Sequence, residues 1–150
     1  MLKRIWKAFI GFQVALYRAS RGRLASRMAG LNLLLLTTTG RKTAKRWTTP
    51  LWYIRDGSCF VIIASNAGSD RHPAWYLNLQ QNPEAQIQVR ERVLDVRAQT
   101  AQGDERQRLW SQVLAAAPGY ADYQTRTTRE IPLVILTPDE TWGDGINQPG

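Results

Sequence analysis

Cysteine and histidine are almost absent from this chain of 150 residues, which has one of each. The lone Cys59 cannot form an internal disulfide, and with His72 it falls short of the three or four ligands that a zinc site needs. A serine–histidine–aspartate triad is not indicated either, because the one histidine lies beside Arg71 in a polar segment. We therefore expect no metal site, and we expect Cys59, within the apolar run 59–63, to be buried in the core.

Acidic residues are absent from the first third of the chain. Residues 1–55 hold 12 of the 20 Lys and Arg residues and no Asp or Glu, whereas the rest holds the other 8 and all 12 acids. The formal charge is thus +12 before residue 56 and 8 − 12 = −4 after it. This asymmetry favours an anionic partner, and nucleic acid, anionic lipid and a phosphorylated cofactor all qualify.

Long hydrophobic runs are lacking as well. No stretch approaches the roughly 20 apolar residues of a transmembrane helix, and arginines stand where a signal-peptide cleavage site would be. Residues 2–28 nevertheless predict a basic amphipathic helix. It would either pack on the protein's own core or lie on an anionic membrane. We expect a cytoplasmic protein, with peripheral contact at the inner face of the cell membrane under the second interpretation.

The remaining pattern predicts a mainly β protein with helices, of the α+β class. Helices are predicted at 73–82 and 104–116, and strands at 31–38, 47–54, 58–65, 85–90, 93–99 and 131–137. Short turns join most of the strands, which indicates an antiparallel sheet, and a hairpin is expected around Glu91–Arg92. Six such strands favour a small closed barrel. We expect three parts, namely an N-terminal basic amphipathic helix at 1–28, a barrel domain at 29–138 and a flexible tail at 139–150.

Pro50 is a specific constraint on this prediction, because proline cannot donate a ladder hydrogen bond. Its strand should therefore have a free edge or a bulge at that point.

The best candidate for chemistry is the turn after the first strand, in the segment TTTGRKTAKR. It concentrates four cations beside small hydroxyl residues, namely Arg41, Lys42, Lys45 and Arg46. Arginine forks, lysine charges and hydroxyl donors suit a phosphate group. The plainer interpretation is a solvated basic hairpin.

Three other segments lie near predicted element ends. Residues 64–66 follow a buried strand, residues 73–78 begin a helix whose free N–H groups favour an anion, and Tyr120 and Tyr123 flank Asp122 in a polar segment. No carboxylate pair and no dinucleotide-binding glycine fingerprint accompany them. If the protein is an enzyme, a cofactor is expected to carry the reaction.

The segments TTTGRKTAKRWTTPLWYIRDG, VIIASNAGSDRHPAWYLNLQQNP and PGYADYQTRTTREIPLVIL resemble the deazaflavin-dependent nitroreductase family of actinobacterial redox proteins. The similarity runs from about residue 31 to residue 138. It implies a six-stranded antiparallel split β-barrel of the FMN-binding type. It also implies coenzyme F420, an 8-hydroxy-5-deazaflavin with a phosphate and a polyglutamate tail, whose charge matches the acid-free front of the chain.

The resemblance also implies site residues. The cofactor's phosphate and tail would lie on Arg41, Lys42 and Thr43, with Lys45, Arg46 and Pro50 beside them. The deazaflavin head would lie against Ile63, Ala64, Ser65 and Asn66, and further cofactor contacts would come from Ala74, Trp75, Tyr76, Leu77 and Asn78. The catalytic residues would be Tyr120, Tyr123 and Ser65, with Tyr120 as hydrogen-bond or proton donor to the reduced substrate.

Two positions depart from the family pattern. Trp47 stands where the family often has an arginine, and Ala117 replaces a tyrosine, which opens the acceptor pocket. The expected function is hydride transfer from reduced F420 to a quinone, enone or nitro compound.

The alternatives are an FMN-binding split-barrel reductase and a non-catalytic protein that binds a membrane surface or another anion. Nucleic acid is not expected as a partner, because the aromatic residues lie mostly within apolar strands. A homodimer is expected, since split barrels commonly pair.

Overall fold

The computed structural model describes residues 32–139, and these form six strands and three helices. In chain order the elements are β1 (Leu33–Thr39), β2 (Arg46–Asp56), β3 (Cys59–Ile63), a 3-10 turn (Asn66–Gly68), α1 (Ala74–Gln81), β4 (Glu84–Val89), β5 (Arg92–Thr100), α2 (Gly103–Ala116), α3 (Tyr120–Thr125) and β6 (Leu133–Pro138). Every strand predicted from the sequence is present, as are both helices predicted in this range, with small shifts at their ends.

The strands form one closed barrel in the order β1-β2-β3-β6-β5-β4, with β4 pairing back onto β1. All neighbouring strands are antiparallel. Closure gives every strand a partner on both sides over at least part of its length, which limits the edges open to edge-to-edge association. The predicted six-stranded antiparallel split barrel is confirmed.

Two apolar clusters form because side chains alternate across each strand. On β3, Phe60 and Ile62 point into the barrel, whereas Val61 and Ile63 point outward. The inner cluster is completed by residues of α1, namely Trp75, Tyr76 and Leu79. The outer cluster is covered by α2 through Leu109 and Val113. Burying each large side chain contributes roughly 1.5–3 kcal/mol, so both clusters stabilise the fold.

β2 divides into two parts that differ in their pairing. Residues 46–52 pair with β1, and residues 53–56 pair with β3. Pro50 lies in the first part, opposite Leu35 of β1, where the other side of β2 carries no β3 partner. Among residues 32–139, therefore, the expectation of a free edge at this proline is confirmed.

Two local predictions need correction. The β4–β5 hairpin pairs Val89 with Arg92, so its turn is Arg90–Glu91, with Arg90 at a φ of 56°, and not Glu91–Arg92. Cys59 is half-buried instead of fully buried, because it begins β3 on the outer side, where its Sγ lies 3.5 Å from the Thr137 hydroxyl.

The predicted helix at 2–28 and nearly all of the predicted tail lie outside the described residues, so the division into three parts stays a prediction. Between residues 32 and 139, no helix is long and apolar enough to span a membrane. Over the same range no group of three His, Cys, Asp or Glu side chains could hold a metal ion.

Candidate active site

The turn between β1 and β2 is held by its own backbone. The N–H of Gly40 donates to the carbonyl of Lys45 at 2.6 Å, and the N–H of Ala44 donates to the carbonyl of Gly40 at 3.1 Å. A Cβ at Gly40 would lie 2.9 Å from the indole nitrogen of Trp47 and 3.1 Å from the Lys45 carbonyl. Only glycine fits this close approach without displacing a neighbour, so the turn presents its cations in a fixed shape.

The cations of this turn are solvent-exposed. The four cations are Arg41, Lys42, Lys45 and Arg46. None of them forms a salt bridge with a carboxylate within residues 32–139. Thr43 is exposed among them, and Trp47, at the position where the related family often has arginine, has half of its surface exposed (50%). Four neighbouring cations without acidic partners form a positive surface that fits a phosphorylated, polycarboxylate group.

Asn78 of α1 fixes this turn to the barrel. Its side-chain oxygen accepts hydrogen bonds from the Arg41 N–H at 3.2 Å and from Arg41 Nη1 at 3.0 Å. Its amide nitrogen donates to the hydroxyl of Thr38 at 3.1 Å. Both Asn78 and Thr38 are buried, so the hydrogen bond between the Asn78 amide nitrogen and the Thr38 hydroxyl satisfies two buried polar groups.

A row of outward-facing residues on β2 leads away from the basic turn. Leu51 and Tyr53 belong to the inner cluster, so the alternate residues face outward, in order Arg46, Thr48, Pro50 and Trp52. The Thr48 hydroxyl lies 2.8 Å from the hydroxyl of Thr37 on β1. At about 3.3 Å per residue, the row from Arg46 to Trp52 spans about 20 Å, which is long enough for an extended ligand.

An aromatic cluster stands at the far end of this row. The rings of Trp52 and Tyr120 stack with centroids 5.4 Å apart, and Tyr123 meets Tyr120 edge-on at 5.6 Å. Both tyrosines pack against the outer cluster that contains Ile63. Burial, with a smaller effect of Tyr123, raises the pKa of the Tyr120 hydroxyl above its ordinary value. The hydroxyl is therefore protonated at neutral pH, and it makes no hydrogen bond to another described residue.

Arg129 holds the segment that follows β3. Its guanidinium donates to the carbonyls of Ala64 at 3.2 Å, Ser65 at 2.8 Å and Ser69 at 2.8 Å. It also contacts Nδ1 of His72 at 3.2 Å. Burial, and then the charge of Arg129, lower the pKa of His72, so the imidazole is neutral at neutral pH and Nδ1 can accept from the guanidinium.

The predicted head-binding residues differ in exposure. Ile63 and Ala64 are buried, Ser65 is half-buried, and Asn66 is exposed, with its side-chain amide donating to the carbonyl of Arg71 at 3.0 Å. The Ser65 hydroxyl makes no hydrogen bond to another described residue, so it is free to meet a ligand.

The start of α1 offers mostly backbone and not side chains. Trp75 and Tyr76 are buried in the barrel core, where the Tyr76 hydroxyl lies 3.0 Å from that of Thr100. Leu77 is half-buried and Ala74 is exposed. The first helical hydrogen bonds run from the N–H groups of Tyr76 and Leu77 to the Pro73 carbonyl. The N–H groups of Ala74 and Trp75 thus precede the helical bonds and have no acceptor within the helix.

The structure therefore brings the predicted residues together in two groups. One joins the basic turn to α1 through Asn78, and the other joins the tyrosines to Ile63. Sequence reasoning missed Trp52 and Arg129. Strand alternation could have placed Trp52 on the outer face, but no sequence signal indicates that Arg129 reaches three carbonyls more than 55 residues away.

Comparison with known proteins identifies the family of this chain. The family model described as F420H(2)-dependent quinone reductase matches residues 10–138. An F420H(2)-dependent quinone reductase of Mycobacterium tuberculosis strain H37Rv is 43% identical over 127 residues, which cover 82% of this chain and 85% of that protein.

Two solved structures are also similar. One, described as an F420-H2 dependent reductase, has a TM-score of 0.65 and 38% identity, and the match covers 70% of this chain and 93% of that one. Another, described as a domain-swapped dimer, has the same TM-score and identity and covers 70% of this chain and 79% of that one. The matched family spans most of the sequence and its barrel is the one observed, so this chain belongs to the F420H(2)-dependent quinone reductase family.

Proposed function

We propose that this member of the family reduces quinones with reduced coenzyme F420, using the basic turn to hold the cofactor's tail and Tyr120 to assist the acceptor. One observation carries the proposal: the outer face of β2 leads from four cations, which form no salt bridge within residues 32–139, to Trp52 and the stacked Tyr120, whose protonated hydroxyl makes no hydrogen bond to another described residue. When bound, the reduced cofactor supplies a hydride, which is two electrons and a proton equivalent.

The basic turn contributes binding energy and position. Arg41 and Lys42 offer charge-assisted hydrogen bonds to phosphate or carboxylate oxygens, with Thr43, Lys45 and Arg46 beside them. Asn78 orients the Arg41 side chain, so less conformational entropy is lost when the anion binds. Holding one end of a long ligand fixes where its other end lies, and orientation of this kind can lower a barrier by several kcal/mol.

The segment 63–66 and the aromatic cluster would hold the two reacting partners. Arg129 fixes the backbone of Ala64 and Ser65, which gives the head-binding segment a defined shape. Trp52, Tyr120 and Tyr123 provide an apolar aromatic wall for a planar acceptor. Such a wall excludes water, which strengthens any hydrogen bond made beside it.

Tyr120 would act at the acceptor's oxygen. Negative charge develops on that oxygen as the hydride arrives, and the O–H of Tyr120 can stabilise it by donating a hydrogen bond. A donor of this kind must be protonated, and the raised pKa of Tyr120 keeps it so. Tyr123 and Ser65 complete the proposed catalytic set, with Tyr123 supporting the Tyr120 ring at 5.6 Å.

The direct test mixes the full-length protein with reduced F420 and a panel of quinones, enones and nitro compounds, and follows cofactor oxidation by absorbance. We expect quinone-dependent oxidation that requires the protein. The absence of protein-dependent oxidation with every quinone in the panel would contradict the proposal.

A competing cofactor is FMN, which related split barrels can bind. The four cations favour the longer and more acidic deazaflavin. Titration of the protein with each cofactor, followed by tryptophan fluorescence, separates the two. Tighter binding of FMN than of F420 would overturn the cofactor assignment.

The excess of basic residues before residue 32 supports a peripheral contact of residues 2–28 with anionic membrane, which would bring the enzyme to lipophilic quinones. Co-sedimentation of the full chain with vesicles of anionic lipid tests this. Replacing Arg18, Arg21 and Arg23 together with Gln should release the protein, and unchanged sedimentation would exclude the contact.

A homodimer is the remaining part of the proposal. It is supported by the similarity to the solved structure described as a domain-swapped dimer. Light scattering coupled to gel filtration should give twice the mass of the 17.0 kDa chain. A mass of one chain at all concentrations would exclude the dimer.

A further inference from the structure

An open pocket of about 390 Å³ lies next to the aromatic cluster. It is lined by Asp70, Thr125, Arg126, Thr127, Thr128 and Arg129. We call it the arginine pocket. Its size is within the range of small-molecule sites, which is about 300–1,000 Å³. Arg129 also holds the proposed head-binding segment, whereas Arg126 and the threonines of the pocket have no part in the proposed binding of the cofactor.

The lining carries a net positive charge. Its one acid, Asp70, accepts a hydrogen bond from the Thr127 hydroxyl at 2.8 Å. Arg129 is bonded to carbonyl groups, which are neutral and leave its charge uncancelled. Arg126 is exposed and forms no salt bridge with any carboxylate between residues 32 and 139. Two guanidinium charges against one carboxylate favour an anion.

The pocket is joined to the proposed acceptor site through side chains in contact. The guanidinium carbon of Arg126 lies 5.4 Å from the centre of the Tyr123 ring, which meets Tyr120. Gly68, at a φ of +80°, allows this packing, because a Cβ there would lie 2.9 Å from the Tyr123 carbonyl and 3.0 Å from Arg126. The contacts therefore run from Trp52 through Tyr120 and Tyr123 to the guanidinium of Arg126.

This inference rests on the proposed function. We propose that the arginine pocket binds an anionic substituent, such as a carboxylate or sulfonate, on an aromatic acceptor whose ring lies against Tyr120 and Tyr123. Arg126 is then a specificity-determining residue that favours acidic acceptors over neutral ones. Hydroxyl groups of the pocket, such as that of Thr128, can add hydrogen bonds to the same anion.

The kinetic test compares 1,4-naphthoquinone with its 2-sulfonate, using reduced F420. The two acceptors differ in reduction potential, so the informative quantity is the ratio of their kcat/KM values in each variant. Arg126→Gln should lower the ratio of kcat/KM for the sulfonate to kcat/KM for the neutral quinone by about tenfold. This is the usual effect of losing one hydrogen bond to a charged group. Arg126→Lys should keep part of the preference, and Arg97→Gln on β5, which removes the same charge elsewhere, should keep all of it.

An unchanged ratio in Arg126→Gln would overturn the inference, whether kcat/KM stays the same for both acceptors or falls by the same factor for both. The binding test is independent of redox activity and uses naphthalene-2-sulfonate as the probe. Titration into isotope-labelled protein should shift the amide signals of residues 66–70 and 125–129, less so in Arg126→Gln. Shifts confined to other residues would also overturn it. If the protein bound this probe in the pocket yet reduced neither quinone, the arginine pocket would be supported and the proposed function would fail.

Discussion

Arg41 and Asn78 are 37 residues apart in sequence, yet one side-chain oxygen of Asn78 accepts both the backbone N–H and the Nη1 of Arg41, at 3.2 and 3.0 Å. The same amide donates to Thr38 inside the barrel. A buried asparagine thereby links the cationic turn to the core. The relationship connects cofactor binding to fold stability, so it can be tested through both.

Replacing Asn78 with Ala should destabilise the protein and weaken F420 binding. The change leaves the buried Thr38 hydroxyl without its partner, which costs about 1–3 kcal/mol, and it frees the Arg41 side chain. Urea denaturation and a fluorescence titration measure the two effects. Asn78→Asp keeps an acceptor for Arg41, and the Thr38 hydroxyl can donate to the new carboxylate, so it should lose less stability than Asn78→Ala while neutralising part of the turn's charge. Wild-type stability in Asn78→Ala would contradict this role.

Gly40→Ala tests the shape of the turn. The new methyl would lie within 3.1 Å of the Lys45 carbonyl, a backbone atom already held by a hydrogen bond. We expect the free energy of unfolding to fall by about 1–3 kcal/mol, the cost of a forced close contact, and F420 binding to weaken. Gly119→Ala is the matched control, since a Cβ there meets nothing within 4 Å. Equal melting temperatures for the two variants would show that the turn adjusts freely.

Tyr120→Phe removes the proposed hydrogen-bond donor and keeps the stacked ring. We expect kcat for a quinone to fall by about tenfold to a hundredfold, somewhat less than the loss of a donor from a fully enclosed oxyanion hole. The Kd for F420 should change little. Tyr123→Phe, which alters the neighbouring ring's hydroxyl, should have the smaller effect. Steady-state kinetics measure this, and an unchanged kcat in Tyr120→Phe would remove the residue from the mechanism.

His72 should make stability depend on pH. Burial and the nearby Arg129 lower its pKa below 6.5, so the unfolded chain binds more protons than the folded one as the pH falls through that value. Stability is therefore complete above about pH 6.5 and decreases below it, before most carboxylates titrate near pH 4. Melting temperatures from about pH 8 to about pH 5 measure the slope. In His72→Gln, the new amide oxygen can still accept a hydrogen bond from Arg129, but the loss of stability between about pH 6.5 and about pH 5 should disappear. If the melting temperature of this variant fell with pH as in the wild type, other groups would be responsible.

The barrel could be predicted from the sequence because its information is local. Alternation on β5, with Leu94 and Val96 inward, gives strand and face directly, and Pro50 marks the stretch of β2 that pairs with β1 and not with β3. The exact hairpin turn at Arg90 could not be predicted, since a non-glycine residue at positive φ leaves no compositional signal.

The site was only partly predictable for a physical reason. The cations of the basic turn are contiguous in sequence, so their concentration is visible without a structure. The Asn78–Arg41 link, the Trp52–Tyr120 stack and the Arg129 contacts are formed between distant segments. They depend on barrel closure and on the register between strands. Resemblance to a family supplied Asn78 and Tyr120 as candidates, but only the fold shows what each one touches.

The proposed function depends on the basic turn binding the anionic end of F420. The most direct measurement is the Kd for F420, by fluorescence, in Arg41→Gln/Lys42→Gln. The control is Arg90→Gln/Arg92→Gln, which removes the same charge from the β4–β5 turn, at the opposite end of β1 by strand register. We predict that binding weakens by about tenfold to a hundredfold in the first variant, as expected for losing two charge-assisted contacts, and changes little in the second. Equal affinity of the folded first variant and the wild-type protein would contradict the claim.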